Sequence, residues 1–451
     1  MKHRGRHRRR RRGQAVRAVL AGTALALTAV ATMISASQAT VAADPGALKP
    51  LTSPAATGQL RLQEHLVAQR SLDRLASAMG RPVGVDAVLT SADRTLRDAA
   101  DCAAADRRSL PVAPAAAHAY CWDRADATAA DWRPVSVTTS GDADDDGLWG
   151  QNRVILAGWA HSATTGPTTE RGLARVAFVN AADPAHPAYR WVLLAVPTAD
   201  GRGYRGLVSH VSGMVWYQDK LLVTAAAGDS AALYVYDLNR IQRTTADRTA
   251  IGRVPGGWSA DGYRYVMPAV GTYRLPGGAR CARAGTPCPG SLSLDRGSVP
   301  DSLVVAEGTP AGGDGPARLW RYPFSKNPAR EGLLATDAAG RVAPVEAYRT
   351  QAAGIRGVLA YRPAGTGRST WYVSTAPGAS YRHSALYRHG TLWRQDTTGA
   401  TSARCGPEST RHCWTEGVGS LSYWQETGEV WSVTDRMLFS LPLATLDRST
   451  R

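Results

Sequence analysis

The sequence after residue 130 predicts an all-β chain of the β-propeller class. Short runs of β-branched and aromatic residues alternate with Gly, Pro, Asp and Ser, and they show no helical period. These runs fall into about five groups of three strands. The third strands of the groups resemble one another, as in Leu-Tyr-Val-Tyr at 233–236 and Leu-Trp-Arg-Tyr at 319–322. Recurrent antiparallel units of this kind are typical of a propeller.

The predicted strands are 132–139, 153–160 and 173–179; then 209–217, 221–225 and 233–238; then 291–294, 302–307 and 318–324; then 354–361, 370–375 and 385–388; and last 417–424, 429–434 and 437–443. Residues 263–275 belong either to a sixth blade or to the second group. We therefore predict five blades, with six as the alternative. A β-sandwich with long insertions would show the same alternation and remains open.

Residues 1–43 have the order of a signal peptide, because nine basic residues precede an uncharged stretch at 18–34 and small residues then lead to Ala39 and Ala43. Cleavage is expected after one of these alanines, and a retained membrane anchor is the alternative. Residues 44–118 are interpreted as a linker followed by a short helical extension, with helices over 59–79 and 91–100. The propeller domain is predicted to occupy 119–447.

Cleavage of the predicted signal peptide changes the net charge on which a choice of partner depends. It removes nine basic residues and lowers the formal net charge from +16 to +7. The remaining bases are mixed with acids and form no run interleaved with aromatic residues, which argues against nucleic acid as a partner. A mildly basic exported protein, expected to be a monomer, would associate with anionic cell-wall polymers or glycans.

The six cysteines agree with export, since disulfides persist in oxidising compartments. They form three sequence-local pairs, Cys102 with Cys121, Cys281 with Cys288 and Cys405 with Cys413. None of these spacings is typical of a zinc site, so we interpret the pairs as structural disulfides.

An acidic turn gives the most specific candidate metal site. Asp142, Asp144 and Asp146 alternate ahead of Gly147, a pattern whose oxygens suit Ca²⁺. The twelfth position of a calcium loop that began at Asp142 is Arg153 instead of Glu. A solvated turn between two strands is therefore the alternative.

Polar residues just before the first strands of the groups are expected to meet at the mouth of the central channel. These residues are His210, Gln351 and Glu416, and the equivalent position of the first group holds Val135. Clefts with converging polar groups are the default site in a protein of unknown function. His210 is the candidate general base or metal ligand, with Glu416 or Glu307 as its acidic partner. His210 and Gln351 are also candidate ligand-binding residues. A structural hydrogen-bonding role for His210 and an ion pair between Arg and Glu307 are the alternatives.

Tryptophans recur once per group, at Trp159, Trp216, Trp320, Trp371 and Trp431. Trp216 is the candidate for stacking on a sugar, and packing between blades is the alternative for the whole set.

The run from Cys121-Trp122 to Leu238 resembles a family of uncharacterised secreted proteins of high-GC actinobacteria. Members pair a Cys-Trp start with a Trp-x-Pro-Gln-Gly segment, a His-x-Gly-Gly-x-x-Trp strand and a Leu-Tyr-Val-Ala strand. This chain departs from the pattern where Val135-Ser136 follows Pro134 and where Val211-Ser212 follows His210. The resemblance implies the fold and secretion, and it implies no reaction.

The sequence thus predicts a secreted or cell-wall-associated propeller that binds an extracellular ligand, either a carbohydrate or another envelope component. A hydrolase or lyase acting on sugars or lactones is the first alternative, with Ca²⁺ as a candidate cofactor. A protein-interaction module is the second. The serine-hydrolase elbow, the zinc-protease helix and the Walker loop are absent from the sequence.

Overall fold

The computed structural model describes residues 44–162, 164–165, 170–226, 229–281, 286–308, 315–362, 369–377, 388–417 and 419–450. The predicted signal peptide and its alternative, the anchor, lie outside these residues. The described chain is mostly β.

The first described segment, residues 44–131, mixes short strands with short helices. Its strands are β1 (Lys49–Pro50), β2 (Leu62–Leu66), β3 (Arg94–Thr95), β4 (Arg97–Asp98) and β5 (His118–Cys121). Its helices are α1 (Pro54–Gly58), α2 (Gln69–Met79), α3 (Val85–Thr90), α4 (Ala104–Arg107) and α5 (Arg124–Ala127), with a 3-10 turn at Ala99–Asp101.

The other described residues form five antiparallel units of four strands. Unit one contains β6 (Trp132–Thr139), α6 (Ser140–Ala143), β7 (Val154–His161), β8 (Ala174–Asn180) and β9 (Ala188–Pro197), and β10 (Tyr204–Gly206) pairs with β9. Unit two contains β11 (Met214–Tyr217), β12 (Lys220–Thr224), β13 (Ala231–Asp237) and β17 (Tyr265–Arg274). Between β13 and β17 lie a 3-10 turn (Leu238–Arg240), β14 (Gln242–Arg243), which pairs with β17, and the hairpin β15 (Ile251–Val254) and β16 (Gly257–Ala260).

Unit three contains β18 (Pro289–Asp295), β19 (Ser302–Glu307), β20 (Ala317–Pro323) and β22 (Glu346–Thr350), with β21 (Arg341–Val342) and 3-10 turns at Pro276–Gly278 and Pro328–Arg330 beside it. Unit four contains β23 (Ile355–Tyr361), β24 (Thr370–Thr375), β25 (Thr391–Gln395) and β26 (Ala400–Ser402). Unit five combines β27 (Leu421–Trp424), β28 (Glu429–Val433) and β29 (Met437–Pro442) with β5, and α7 (Leu443–Ser449) follows it.

The five units are arranged in a cycle. The first strands of the units contact one another in the order β6, β11, β18, β23, β27 and back to β6. The cycle is joined across the chain ends, because β5 from the N-terminal segment pairs with β29 and Cys121 lies opposite Met437. Units one and two also share a parallel pairing of β9 with β17, which merges them into one large sheet.

Serine hydroxyls connect neighbouring units close to the first strands. Ser136 donates to the carbonyl oxygen of Val211 at 2.6 Å, which joins unit one to the loop before unit two. Ser212 donates to the carbonyl of Gly290 and Ser374 donates to that of Gly419, both at 2.6 Å. These bonds satisfy backbone carbonyls that the sheet ladders leave free, and they join unit one to unit two, unit two to unit three, and unit four to unit five.

The N-terminal segment runs along the outer edges of the units in turn. The N–H of Leu48 donates to the carbonyl oxygen of Asp396 beside unit four. Strand β1 then pairs with β22, β2 with β17, β3 with β9, and β4 with β5. An uncovered edge strand offers unpaired backbone groups to other chains, and the segment covers such edges here.

The apolar core lies between neighbouring units. Residues of units one and two form one cluster, those of units one and five a second, those of units two and three a third, and those of units four and five a fourth. The tryptophans that recur once per group are part of this core, since all five are nearly inaccessible to solvent.

The structure differs from the sequence-based expectation in several places. The predicted strands 209–217 and 417–424 begin only at Met214 and Leu421, and the predicted linker contains β1 and α1. The helix predicted over 59–79 is a helix only at α2, because residues 62–66 form β2 against β17 and β21. The helix predicted over 91–100 is replaced by α3, which ends earlier, and by β3 and β4. The third strand of unit four is β25, six residues beyond the predicted 385–388, of which residues 385–387 lie outside the described residues.

Candidate functional site

A cavity of about 550 Å³ lies beside His210, between units one and two. Its walls come from the start of β6, the end of β7, the loop before β8 and the loop between β10 and β11. The lining residues are Ala130, Asp131, Arg133, Ala160, His161, Ser162, Thr165, Gly172, Val208, Ser209, His210 and Ala226. We call this the His210 cavity. Its volume is within the range of roughly 300–1,000 Å³ that is common for small-molecule sites.

The loop that carries His210 is held in a strained conformation. The next residue, Val211, has a φ of 41°, in the left-handed region that β-branched side chains rarely adopt. Two hydrogen bonds hold it: Ser136 donates to its carbonyl oxygen, and its N–H donates to Ser209 Oγ at 3.2 Å. Strain of this kind is concentrated at functional sites, where the surrounding structure enforces it.

The His210 side chain is exposed and lines an open, concave cavity. Burial in this concave environment lowers its pKa, and the positive charge of Arg356 lowers it further. The carboxylate of Asp435 opposes this shift only partly. The lowered pKa keeps the imidazole neutral at pH 7, with one nitrogen available as a donor and the other as an acceptor.

His161 forms a buried part of the cavity wall. Its Nδ1 lies 2.8 Å from the carbonyl oxygen of Ser162, and its Nε2 lies 3.6 Å from Oε2 of Glu170. Asp261 is close enough for its pKa to respond to both neighbours, and burial and the charge of Glu170 raise it to about 6. Two carboxyl groups, those of Glu170 and Asp261, therefore lie close to His161.

Asp131 and Arg133 supply opposite charges at the start of β6. Asp131 Oδ1 accepts a 2.5 Å hydrogen bond from the Thr165 hydroxyl. Arg133 Nη1 donates to the carbonyl oxygens of Ala129 at 2.7 Å and Trp132 at 3.1 Å, which fixes the guanidinium. The cavity thus offers carboxylate, guanidinium, hydroxyl and imidazole groups together.

The structure places the other two predicted mouth residues away from the lining of this cavity. Glu416 lies beside His389, with 3.9 Å between Oε1 and Nε2, and its N–H donates to the carbonyl oxygen of Ser109. Gln351 is exposed just before β23. Val135, the equivalent residue of unit one, is buried in the core.

Glu307 is engaged in an ion pair. Its Oε2 accepts the backbone N–H of Arg318 at 2.9 Å, and its Oε1 lies 3.4 Å from Nη1 of the same residue. Burial raises the pKa of Glu307, and Arg318 counteracts that effect. This ion pair between Arg318 and Glu307 corresponds to the alternative to a catalytic role that the sequence left open for Glu307.

Trp216 lies in the core. Its ring is fully buried, its Nε1 donates to the carbonyl oxygen of Gln218 at 2.7 Å, and it packs 5.0 Å from Trp149. The ring faces used in sugar stacking are therefore occupied by protein.

The three aspartates of the acidic turn face different environments. Asp142 is 2% exposed and accepts hydrogen bonds from Thr138 and Ser422, whereas Asp144 and Asp146 are exposed and accept backbone N–H groups of the turn. Within the described ranges, no group of three or more His, Cys, Asp or Glu residues is placed to hold a metal ion.

Asp131, Arg133 and His161 were not predicted, because Val135 was taken as the position of unit one that corresponds to His210, although β6 begins at Trp132, directly after Asp131. Trp132 lies opposite His161 in the β6–β7 ladder, so Asp131 and His161 come to the same edge of unit one. The sequence signal that could have revealed them is a polar residue just before the first strand of this hairpin and another at the end of its second strand.

No family model matches the chain, and no curated protein matches it. Among solved structures, it is similar to the Drosophila Plexin A in complex with Semaphorin 1b, at 8% identity over 90% of this chain and 88% of that chain, with a TM-score of 0.25. It is also similar to Drosophila Semaphorin 1a, extracellular domains 1-2, at 11% identity over 78% of this chain and 86% of that chain, with a TM-score of 0.25. Likeness at this level carries no inference about function.

The predicted disulfides are confirmed, since Cys102 is bonded to Cys121, Cys281 to Cys288 and Cys405 to Cys413. They fit an oxidising, extracellular environment. Across the described ranges, every helix is too short or too polar to cross a bilayer.

Proposed function

We propose that the protein is a secreted five-bladed β-propeller that binds an extracellular carbohydrate or related envelope component in the His210 cavity. The observation that supports this proposal most is the meeting of His210, Asp131 and Arg133 in one cavity of about 550 Å³. The cyclic contacts of the first strands and the pairing of β5 with β29 support the propeller. The three disulfides support secretion.

The chemistry of the lining favours a ligand rich in hydroxyl groups. A carboxylate such as Asp131 accepts several hydrogen bonds, so it is able to bind sugar hydroxyls in addition to Thr165. Neutral His210 both donates and accepts, which matches a hydroxyl. Val208, which is 49% exposed, and Ala160 supply apolar contacts for the C–H face of a sugar ring.

The test is binding of the purified protein to a glycan array, followed by titration with the best oligosaccharide found. We expect His210→Ala to weaken binding by about tenfold or more, the equivalent of roughly 1.4 kcal/mol. The matched control is His186→Ala, because the His186 side chain is 82% exposed and pairs with Asp183 outside the cavity. Its affinity is expected to equal that of the wild type.

Two results would overturn the proposal. One is the absence of binding to any glycan, and the other is equal affinity of the wild type and His210→Ala. If a shortened sugar is released during the titration, the protein is a hydrolase or lyase and does not merely bind its ligand. A parallel titration with chelator tests calcium, and unchanged affinity is expected because the three aspartates of the acidic turn do not converge.

A further inference from the structure

A second cavity, of about 230 Å³, lies where units one and five meet. We call it the seam cavity. Its lining includes His118, Arg153, Ala181, Trp424, Glu429 and Trp431. It shares no lining residue with the His210 cavity.

The walls of the seam cavity are mainly apolar and aromatic. Trp424 and Trp431 come from β27 and β28, and Ile155 and Val179 come from β7 and β8. A dry protein cavity of roughly 150 Å³ accommodates benzene, so the seam cavity has room for a bicyclic ring. Aromatic rings prefer edge-to-face or offset contacts with other rings, and two indoles provide such partners.

The two charged side chains at the cavity differ in whether they already have a partner of opposite charge or a hydrogen-bond partner. Glu429 is already engaged, because its Oε1 accepts the Ser440 hydroxyl at 2.9 Å and lies 3.6 Å from Nε2 of His118. Arg153 is exposed, and its guanidinium lies 5.8 Å from the centroid of the Trp424 ring. Within the described part of the chain, Arg153 pairs with no carboxylate. One cationic group therefore remains available beside an aromatic cavity.

We propose that the seam cavity binds a small aromatic carboxylate, with its ring against Trp424 and Trp431 and its carboxylate on Arg153. The apolar walls select the ring, and the planar guanidinium of Arg153 matches a carboxylate with two parallel hydrogen bonds. A cationic ligand is disfavoured, because Arg153 would repel it and Glu429 already has partners.

The test uses isothermal titration with two probes of the same ring, 2-naphthoate and 2-naphthylmethanol. We expect 2-naphthoate to bind the wild type and to bind Arg153→Gln about tenfold more weakly, the loss of one charge-assisted contact. The neutral alcohol should bind both proteins equally. The matched control is Arg264→Gln, because the Arg264 guanidinium also lies 5.8 Å from the centroid of an aromatic ring, that of Tyr265, but outside the cavity. This variant should bind both probes as tightly as the wild type does.

A filling variant locates the probe. Ala181→Phe places a ring in the cavity and should abolish binding of both probes. The proposal is wrong if neither probe binds the wild type, if Arg153→Gln binds 2-naphthoate as tightly as the wild type, or if binding persists unchanged in Ala181→Phe. Because the His210 cavity shares no residue with this site, failure of one proposal leaves the other standing.

Discussion

The hydroxyl of Ser422, in unit five, donates a 2.7 Å hydrogen bond to Oδ2 of Asp142, which follows the first strand of unit one. Thr138 of unit one donates to the same oxygen at 2.7 Å. Asp142 is 2% exposed, and burial raises its pKa to about 6 although both hydroxyls and Arg296 oppose the shift. A single buried carboxyl group therefore connects the first and the last units of the cycle.

Asp142→Asn should make the protein less sensitive to pH. A group with an ordinary pKa of 3.8 and a folded-state pKa of about 6 binds more protons in the folded state between these values. The free energy of unfolding of the wild type therefore falls as pH rises from about 4 to about 6. Because Asn does not titrate, the stability of the variant relative to the wild type should rise by about 2–3 kcal/mol over that window.

Urea denaturation at pH 4 and pH 7 measures this difference. Asp144→Asn is the matched control, because Asp144 is exposed on the same turn and should change the difference very little. A relative stability of Asp142→Asn that is the same at both pH values would contradict the interpretation.

Loss of the Cys102–Cys121 disulfide should destabilise the protein more than loss of Cys405–Cys413. The first closes a separation of 19 residues and holds β5, the strand that joins the N-terminal segment to unit five. The second closes a separation of only 8 residues. We expect Cys102→Ala with Cys121→Ala to cost about 3 kcal/mol from loop entropy alone, with a further loss from weaker pairing of β5.

Thermal and urea unfolding of the two double variants gives the comparison. If removal of Cys405–Cys413 cost as much as removal of Cys102–Cys121, the role given to β5 in joining the chain ends would lose its support.

Asp126 should be among the most sensitive polar residues of the core. Its carboxylate accepts hydrogen bonds from Arg94, Arg175, Tyr189 and Trp191, with distances of 2.6–3.2 Å. Arg175 is itself buried, and its guanidinium lies 3.7 Å from the Trp191 ring centroid. Asp126→Ala leaves this cation uncompensated and should cost about 3–5 kcal/mol.

The measurement is the free energy of unfolding in urea, and the control is Asp123→Asn. Asp123 caps α5 and lies 3.9 Å from Arg94 at the surface, so its replacement by another capping residue should cost less than about 1 kcal/mol. An equal loss in the free energy of unfolding for Asp126→Ala and Asp123→Asn would show that the buried Asp126–Arg175 pair stabilises the fold no more than the exposed Asp123 does.

Ligand binding in the His210 cavity should depend on pH through His210. Because burial and Arg356 lower its pKa, the imidazole gains its proton at a more acidic pH than the ordinary value of 6.5. Affinity should therefore fall on acidification, with a midpoint below pH 6.5. In His210→Gln, whose side chain hydrogen-bonds without titrating, that acidic fall should disappear. A midpoint above 6.5, or the same fall in His210→Gln, would contradict this role.

The sequence was most informative where strands are defined by their own residues. The predictions at 132–139, 302–307 and 370–375 coincide with β6, β19 and β24, because β-branched and aromatic residues bounded by turns specify such strands locally. Residues 263–275, left open between a sixth blade and the second unit, form the fourth strand of unit two.

The sequence was least informative where pairing is long-range. Strand β2 reads as part of a helix because Leu62 and Leu66 have helical spacing, yet pairing with β17 more than 200 residues away determines its conformation. The His210 cavity was only half predicted for the same reason. His210 was recognised beside its own strand, and the β6–β7 hairpin brings Asp131 and His161 to one edge of unit one. The packing of that edge against the loop of His210 joins two units, and the sequence alone did not reveal it.

The closure of the cycle by β5 and β29 is the claim on which the account most depends, and a cross-strand disulfide tests it directly. His118 and Ser440 are opposed in that antiparallel pair, where Cα atoms are about 4.5–5.5 Å apart and within the range of a disulfide. The variant His118→Cys with Ser440→Cys should oxidise in the folded protein, leave no thiol for a labelling reagent, and unfold at higher urea concentration than its reduced form. Two thiols that stay fully reactive in the folded protein would contradict the closure.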